Sequence, residues 1–187
     1  MYHTIDTKKQ KGSSAARFTL RGSRAFTLIE LLVVISIIGL LSSVVLAALS
    51  TARKSARDAK RISEIREMQT ALELYYTDFA EYPDGDGLGD GSWDTPGDGT
   101  FITALVSGGY LKAHILDPLV NDSAGNLRYY HFPAGTADCD PARGAFYVLG
   151  VADMETSDGV HPLSPAWTCP LRDFGEEMEF VIGKFEA

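Results

Sequence analysis

The stretch from Phe26 to Leu49, FTLIELLVVISIIGLLSSVVLAAL, limits what the rest of the chain can be. It runs for 24 residues with one ionisable side chain, Glu30. As an α-helix it reaches about 36 Å, more than the roughly 30 Å of a bilayer's hydrocarbon core. A helix that is apolar on every side is solvated by lipid or enclosed by protein, and enclosure needs neighbours all round. The chain has 187 residues, room for one domain plus appendages at about 100 to 200 residues per domain. So small a remainder can hardly enclose the rod, and the segment is expected to sit in a membrane.

Charge is distributed unevenly around it. Residues 1–25 carry Lys8, Lys9, Lys11, Arg17, Arg21 and Arg24 against Asp6, a balance of +5. Residues 50–69 hold Arg53, Lys54, Arg57, Lys60, Arg61 and Arg66 against Asp58, Glu64 and Glu67, a balance of +3. Everything after residue 69 sums to −15, and the whole chain to −8. Such an acidic portion repels phosphate backbones, so no nucleic-acid partner is expected. The more basic flank precedes the apolar run, which favours a single pass through the cytoplasmic membrane with the N-terminus cytoplasmic. The acidic portion is then extracytoplasmic, where both of its cysteines meet an oxidising environment.

Beyond Leu49 no Pro or Gly occurs between Gly39 and Pro83. Ile62, Ile65, Met68, Leu72, Tyr75 or Tyr76, and Phe79 recur every three or four residues with charged residues between them, the pattern of an amphipathic helix. Lys60 and Glu64 are spaced as an i, i+4 ion pair. This helix continues the apolar one and is expected to end near Glu81, because a residue before proline is pushed out of the α region. The Gly- and Asp-rich stretch 82–100 reads as a loop. Phe101 to Val106 reads as a short helix, and Leu127–Phe132, Phe146–Val151 and Phe180–Ile182 as strands. The expected fold is α+β, a long helix packed on a small antiparallel sheet. Four segments follow: a basic leader at 1–25, a membrane helix at 26–49, its amphipathic continuation at 50–81 and an acidic globular domain at 82–187.

Burying Glu30 in lipid costs about 2.5–3.5 kcal/mol, so its presence needs a reason. The string RGSRAFTLIELLVVISIIGLL closely resembles the processing site of type IV prepilins and of the pseudopilins of type II secretion. The resemblance implies that a membrane aspartic peptidase cuts between Ala25 and Phe26 and that the new Phe26 amine is N-methylated. Thr27 and Glu30 then fall on the family's mature N-terminal positions, with Glu30 on the glutamate of its pattern. Weaker likenesses follow in LELYYTDFAEYP, in Gly109-Tyr110-Leu111, in Asp117-Pro118 and in Tyr129-Tyr130, similar to the major pseudopilins. The family implies a pilin-like fold and self-assembly into a filament. It also implies a peptidase and N-methyltransferase, an inner-membrane assembly platform and membrane lipid as partners. Most relatives have Gly where this chain has Ala25. Gly39 matches a glycine inside the family's helix, where it serves either local melting or close approach between helices.

Independently of the family, an ammonium on Phe26 paired with Glu30 of a second subunit would fix axial register, since each ion alone is costly in a low-dielectric core. Cys139 and Cys169 are expected to form a disulfide. Asp84, Asp86 and Asp90 crowd one loop, and Asp153 and Asp158 another. For both, a Ca²⁺ site and a solvated acidic turn stand as alternatives. The four histidines are scattered and no nucleophile motif, metal spacing or nucleotide loop is present, so catalysis is not expected. The rival reading is a binding domain behind an ordinary signal peptide or anchor, with Ser50-Thr51-Ala52 as a small-x-small cleavage site. The apolar run is much longer than such a peptide needs, and Glu30 would have no purpose there.

Overall fold

The computed structural model describes residues 26–86, 93–119 and 126–187. The leader at 1–25 with Ala25, and Asp90, lie outside the described residues. Helix α1, Leu28–Phe79, holds 52 residues. The chain divides into two compact units, one up to Val44 and one from Val45 to Ala187.

In the first unit every described side chain is exposed, with Leu28 at 82% and Leu40 at 70%. Two of its serines bond within the helix: the Ser36 hydroxyl donates to the Leu32 carbonyl at 2.8 Å and Ser43 to Leu40 at 2.7 Å. Such back-bonding lets a hydroxyl enter an apolar setting at little cost. The helix passes through Gly39 without a break.

The second unit contains α2 (Thr103–Ser107) and five strands: β1 (Leu127–Phe132), β2 (Phe146–Val151), β3 (Thr168–Cys169), β4 (Arg172–Asp173) and β5 (Phe180–Phe185). Strands β1, β2 and β5 form an antiparallel sheet with β2 in the centre, while β3 and β4 pair as a small ribbon. This is the α+β arrangement expected.

All six residues of β2 are buried. An antiparallel strand normally alternates between core and solvent, but one covered on both faces reads as a continuous apolar run. On one face, Ile62, Ile65, Met68 and Leu72 of α1 pack with Leu127, Tyr129, Tyr147, Leu149 and Phe180. On the other, Phe146, Val148 and Val181 meet Phe174, Met178 and the cysteines. Cys139 and Cys169 are joined by a disulfide. Gly150 is required by this double cover, because a Cβ there would lie 2.6 Å from both the Met178 sulfur and the Phe180 carbonyl. Gly183 likewise lies beneath the Trp167 ring.

Several features differ from the sequence reading. Helix α1 stops at Phe79 rather than near Glu81, because Ala80 adopts a left-handed conformation at φ 61° and its N–H bonds the Tyr76 carbonyl. Phe79, assigned to the buried stripe, is exposed and stacks on Tyr75. Strand β5 runs on to Phe185, since its Gly183 is covered by an aromatic ring instead of ending the strand.

Candidate assembly site

At the start of α1, Thr27 and Glu30 bind each other. The Thr27 N–H and hydroxyl both donate to Glu30 Oε2, at 2.9 and 2.8 Å, and the Glu30 N–H donates to the Thr27 hydroxyl at 3.2 Å. This is a capping box, in which the N-cap side chain and the residue three positions on satisfy each other's free backbone donors. The sequence signal was the T-x-x-E spacing ahead of an apolar run. The acid also complements the positive end of the helix dipole. Phe26 lies just outside the cap and is 85% exposed. A carboxylate and the residue that would carry a new amine are thus set within one helical turn, on a rod whose apolar surface is uncovered. Gly39 lies on the same rod, and a Cβ added there would meet nothing within 4 Å.

In the second unit, α1 is fixed by a buried ion cluster that sequence reasoning missed. Arg61 is fully buried and grips Asp117 with two bonds, Nε to Oδ2 at 2.8 Å and Nη2 to Oδ1 at 2.9 Å. Its Nη1 donates to Asp58 at 2.8 Å and to Glu155 at 3.3 Å. Arg57 adds a bidentate pair to Glu155, with both contacts at 2.5 Å. Asp58 also accepts the Glu155 N–H at 3.0 Å and the Thr156 hydroxyl at 2.7 Å. Burial alone would raise the Asp58 pKa, yet these two donors and the Arg61 guanidinium hold it below the usual carboxylate value. Burial also opposes the Arg61 charge, but Asp117 and Asp58 outweigh it and raise its pKa. The Arg57 hydrogen bonds lower that of Glu155. A readable sign was available: Asp58 and Arg61 lie on the same helical stripe as Ile62 and Ile65, where a charged residue is buried and therefore paired.

Among the described residues of the acidic loops, Asp84 and Asp86 are held by their own chain. Asp84 lies 3.0 Å from His131 Nδ1, whose Nε2 is 3.1 Å from Glu186. Asp86 accepts the Thr103 N–H, and its own N–H donates to Asp94 at 2.9 Å. Around Asp153 and Asp158 the chain wraps the Glu179 carboxylate, which accepts the Met154 N–H, the Ser157 hydroxyl and the Gly159 N–H at 2.8–2.9 Å. These three donors hold the Glu179 carboxylate in place by charge-assisted hydrogen bonds. Among the described residues no group of three or more His, Cys, Asp or Glu is placed to hold a metal ion.

Residues 20–46 match the family model described as a prokaryotic N-terminal methylation motif. The type II secretion system core protein G of Vibrio cholerae is 32% identical over 155 residues, covering 83% of this chain and 97% of that protein. The chain belongs to the type II secretion core protein G family. The Aeromonas hydrophila protein is 33% identical over 101 residues, 54% of this chain and 71% of its own length. The Escherichia coli protein is 33% identical over 99 residues, 53% and 68% respectively. No solved structure matches the chain. It is a prepilin-like pseudopilus subunit with an N-methylation motif, anchored by an apolar helix. Within it, Asp117 of the Asp117-Pro118 element holds Arg61, and the Tyr129 hydroxyl of the Tyr129-Tyr130 element donates to the Pro83 carbonyl at 2.6 Å.

Proposed function

We propose that Ala25 to Glu30 is the processing and register site of this pseudopilin. The basic leader, residues 1–25, is removed between Ala25 and Phe26 by a prepilin peptidase, and the Phe26 amine is methylated by an N-methyltransferase. Residues 26–49 cross the cytoplasmic membrane once, with the N-terminus cytoplasmic and the acidic domain outside. An inner-membrane assembly platform then moves the subunit from lipid into a filament of its own kind. The type II secretion pseudopilus is the machine favoured over a type IV pilus, on the identity of the relatives.

The observation that carries this reading is the state of Glu30. Its hydrogen bonds among the described residues go to Thr27 through Oε2, and it lies on an uncovered apolar helix. A carboxylate held in one rotamer by its own cap, at a net cost in lipid, is set to accept a cation from outside the chain. The Phe26 ammonium of a neighbouring subunit supplies one. Thr27 positions the acid, and the ion pair selects the stagger at which two apolar rods associate.

Glu30→Gln keeps the size and the helix while removing the charge. Membrane insertion and leader removal should persist, whereas assembly should fall by roughly two to three decades, since breaking a buried pair costs about 3–5 kcal/mol. Sheared filaments quantified beside immunoblots of cleaved subunit measure this. Normal assembly of Glu30→Gln would sink the inter-subunit pairing. Ala25→Leu separately tests the cleavage site: it should leave insertion intact and stop processing, and equal processing of both forms counts against the assignment.

A further inference from the structure

Six cations crowd α1 between Arg53 and Arg66, and they fall into two groups. Arg57, Lys60 and Arg61 each reach a carboxylate of their own chain, at 2.5, 3.4 and 2.8 Å. Among the described residues Arg53, Lys54 and Arg66 reach none, although 20 carboxylates follow residue 69. All three are exposed.

Position along the helix sorts them further. A run of about 36 Å fits a core of roughly 30 Å by tilting, which leaves about 1.25 Å of depth per residue, so Arg53 and Lys54 lie about 5 and 6 Å beyond the core boundary at Leu49, and Arg57 about 10 Å beyond it. Headgroup layers extend a bilayer from roughly 30 Å to roughly 40–45 Å, which is about 5–8 Å on each side. Two of the three cations without a protein partner, Arg53 and Lys54, therefore fall at headgroup depth, and the first paired cation falls just past it. Arg66, about 25 Å along, is out of reach of a membrane.

We propose that Arg53 and Lys54 form a binding site for the phosphate of anionic phospholipids, resting on the reading of residues 26–49 as the spanning segment. Guanidinium takes phosphate oxygens two at a time, and the ammonium of Lys54 adds a compact charge on an adjoining face of the helix. Both stems are long enough for the charged groups to meet the headgroup plane while their methylenes cover apolar surface. The contact fixes the depth of the subunit before assembly, and entry into a filament must release it. An acidic face of a neighbouring subunit is the other conceivable occupant. It would explain an unpaired Arg66 equally well, and it gives no reason for pairing to begin at the edge of the headgroup layer.

The test uses the full chain in vesicles of phosphatidylcholine with or without phosphatidylglycerol, measuring the phosphatidylglycerol retained on the protein by native mass spectrometry. Arg53→Gln with Lys54→Gln should lower that retention about 30-fold at low salt, from about one unit of surface binding energy per cation. At 1 M salt, where screening acts over about 3 Å, the difference should vanish. Arg66→Gln, the loss of one such charge farther from the span, should leave retention unchanged. An equal fall with Arg66→Gln, or no fall in the double variant, overturns the proposal. Unchanged retention with lost filaments would overturn it in favour of an acidic neighbour. Carbonate extraction of the wild-type chain is read alongside: if the protein is released, the spanning reading itself fails and the site falls with it.

Discussion

Two stretches of one helix make opposite demands on their surroundings. Between Leu28 and Leu49 the apolar side chains are exposed, and the acid among them is bonded by a residue three positions away. Between Asp58 and Leu72 the stripe is buried, and its charges are bonded across 56 and 97 positions of sequence. The first stretch is uncovered by its own chain, and in the function proposed for it lipid and then other subunits cover it. The second is completed by the chain itself. Identical helical geometry thus serves assembly in one half and folding in the other, and the location of the partners decides which.

The largest effect expected from breaking the folding half is at Arg61. Arg61→Met strands Asp58 and Asp117 in the interior and should cost about 3–5 kcal/mol. Removing the buried centre of the cluster, with Arg61→Met, Asp117→Leu and Asp58→Asn together, should recover most of that loss while the outer Arg57–Glu155 pair remains, because a buried ion pair contributes little beyond a well-packed replacement. Urea unfolding of the detergent-solubilised chain, followed by aromatic circular dichroism, measures both. A triple variant no better than the single one would show that the cluster is worth more than its apolar equivalent. The same substitution leaves the capping box untouched, so the Glu30 assembly defect and the Arg61 stability defect should be separable.

The disulfide comes next. It closes a loop with a sequence separation of 30, for which chain entropy gives about 3–4 kcal/mol. Reductant should lower the unfolding midpoint of the second unit while leaving the helicity of residues 26–49 in place. Two free thiols on the oxidised, unfolded protein would contradict the bridge.

Acid should act on the cluster with a definite sign. Asp58 and Glu155 have folded pKa values below their ordinary ones, so the stability they contribute is complete above about pH 5 and is lost as pH falls through the lowered values. Glu64 is pushed the other way by burial, so mild acidification relieves its charge and adds a little stability first. Unfolding midpoints across pH 7 to 3 should pass through a shallow rise and then fall. In Arg61→Met the Asp58 part of the acid limb should shrink.

How much of this was legible follows the same division. The apolar rod and the ranges of β1 and β2 were readable because their signals are local: length and an unbroken run of β-branched and aromatic residues, whereas Thr27 and Glu30 were placed by their family pattern and their mutual capping was not read. The disulfide pairing followed from there being two cysteines. The Arg61 cluster was not read, since Asp117 and Glu155 look like ordinary loop acids until the chain folds them onto α1. The two-residue strands β3 and β4 are too short to carry a period. Ala80 in a left-handed conformation ended α1 where no glycine announced it.

The smallest predicted effect is one substitution made in both regions. At Gly150 an added methyl meets a sulfur and a carbonyl at 2.6 Å, so Gly150→Ala should destabilise the second unit by about 1–3 kcal/mol. At Gly39 nothing lies within 4 Å, so Gly39→Ala should stabilise the helix of the free subunit by up to about 1 kcal/mol. Assembly of the Gly39 variants then separates the two uses of that glycine. If helices must approach closely there, side-chain volume governs the defect, and Gly39→Leu should be much worse than Gly39→Ala. If the helix must locally melt, helix propensity governs it, and Ala and Leu should impair filaments about equally while Gly39→Pro is tolerated. Filament yield normalised to processed subunit in the membrane decides between them. A Gly39→Leu variant that assembles like the wild type would remove both explanations and leave Gly39 as a position with no demand on it.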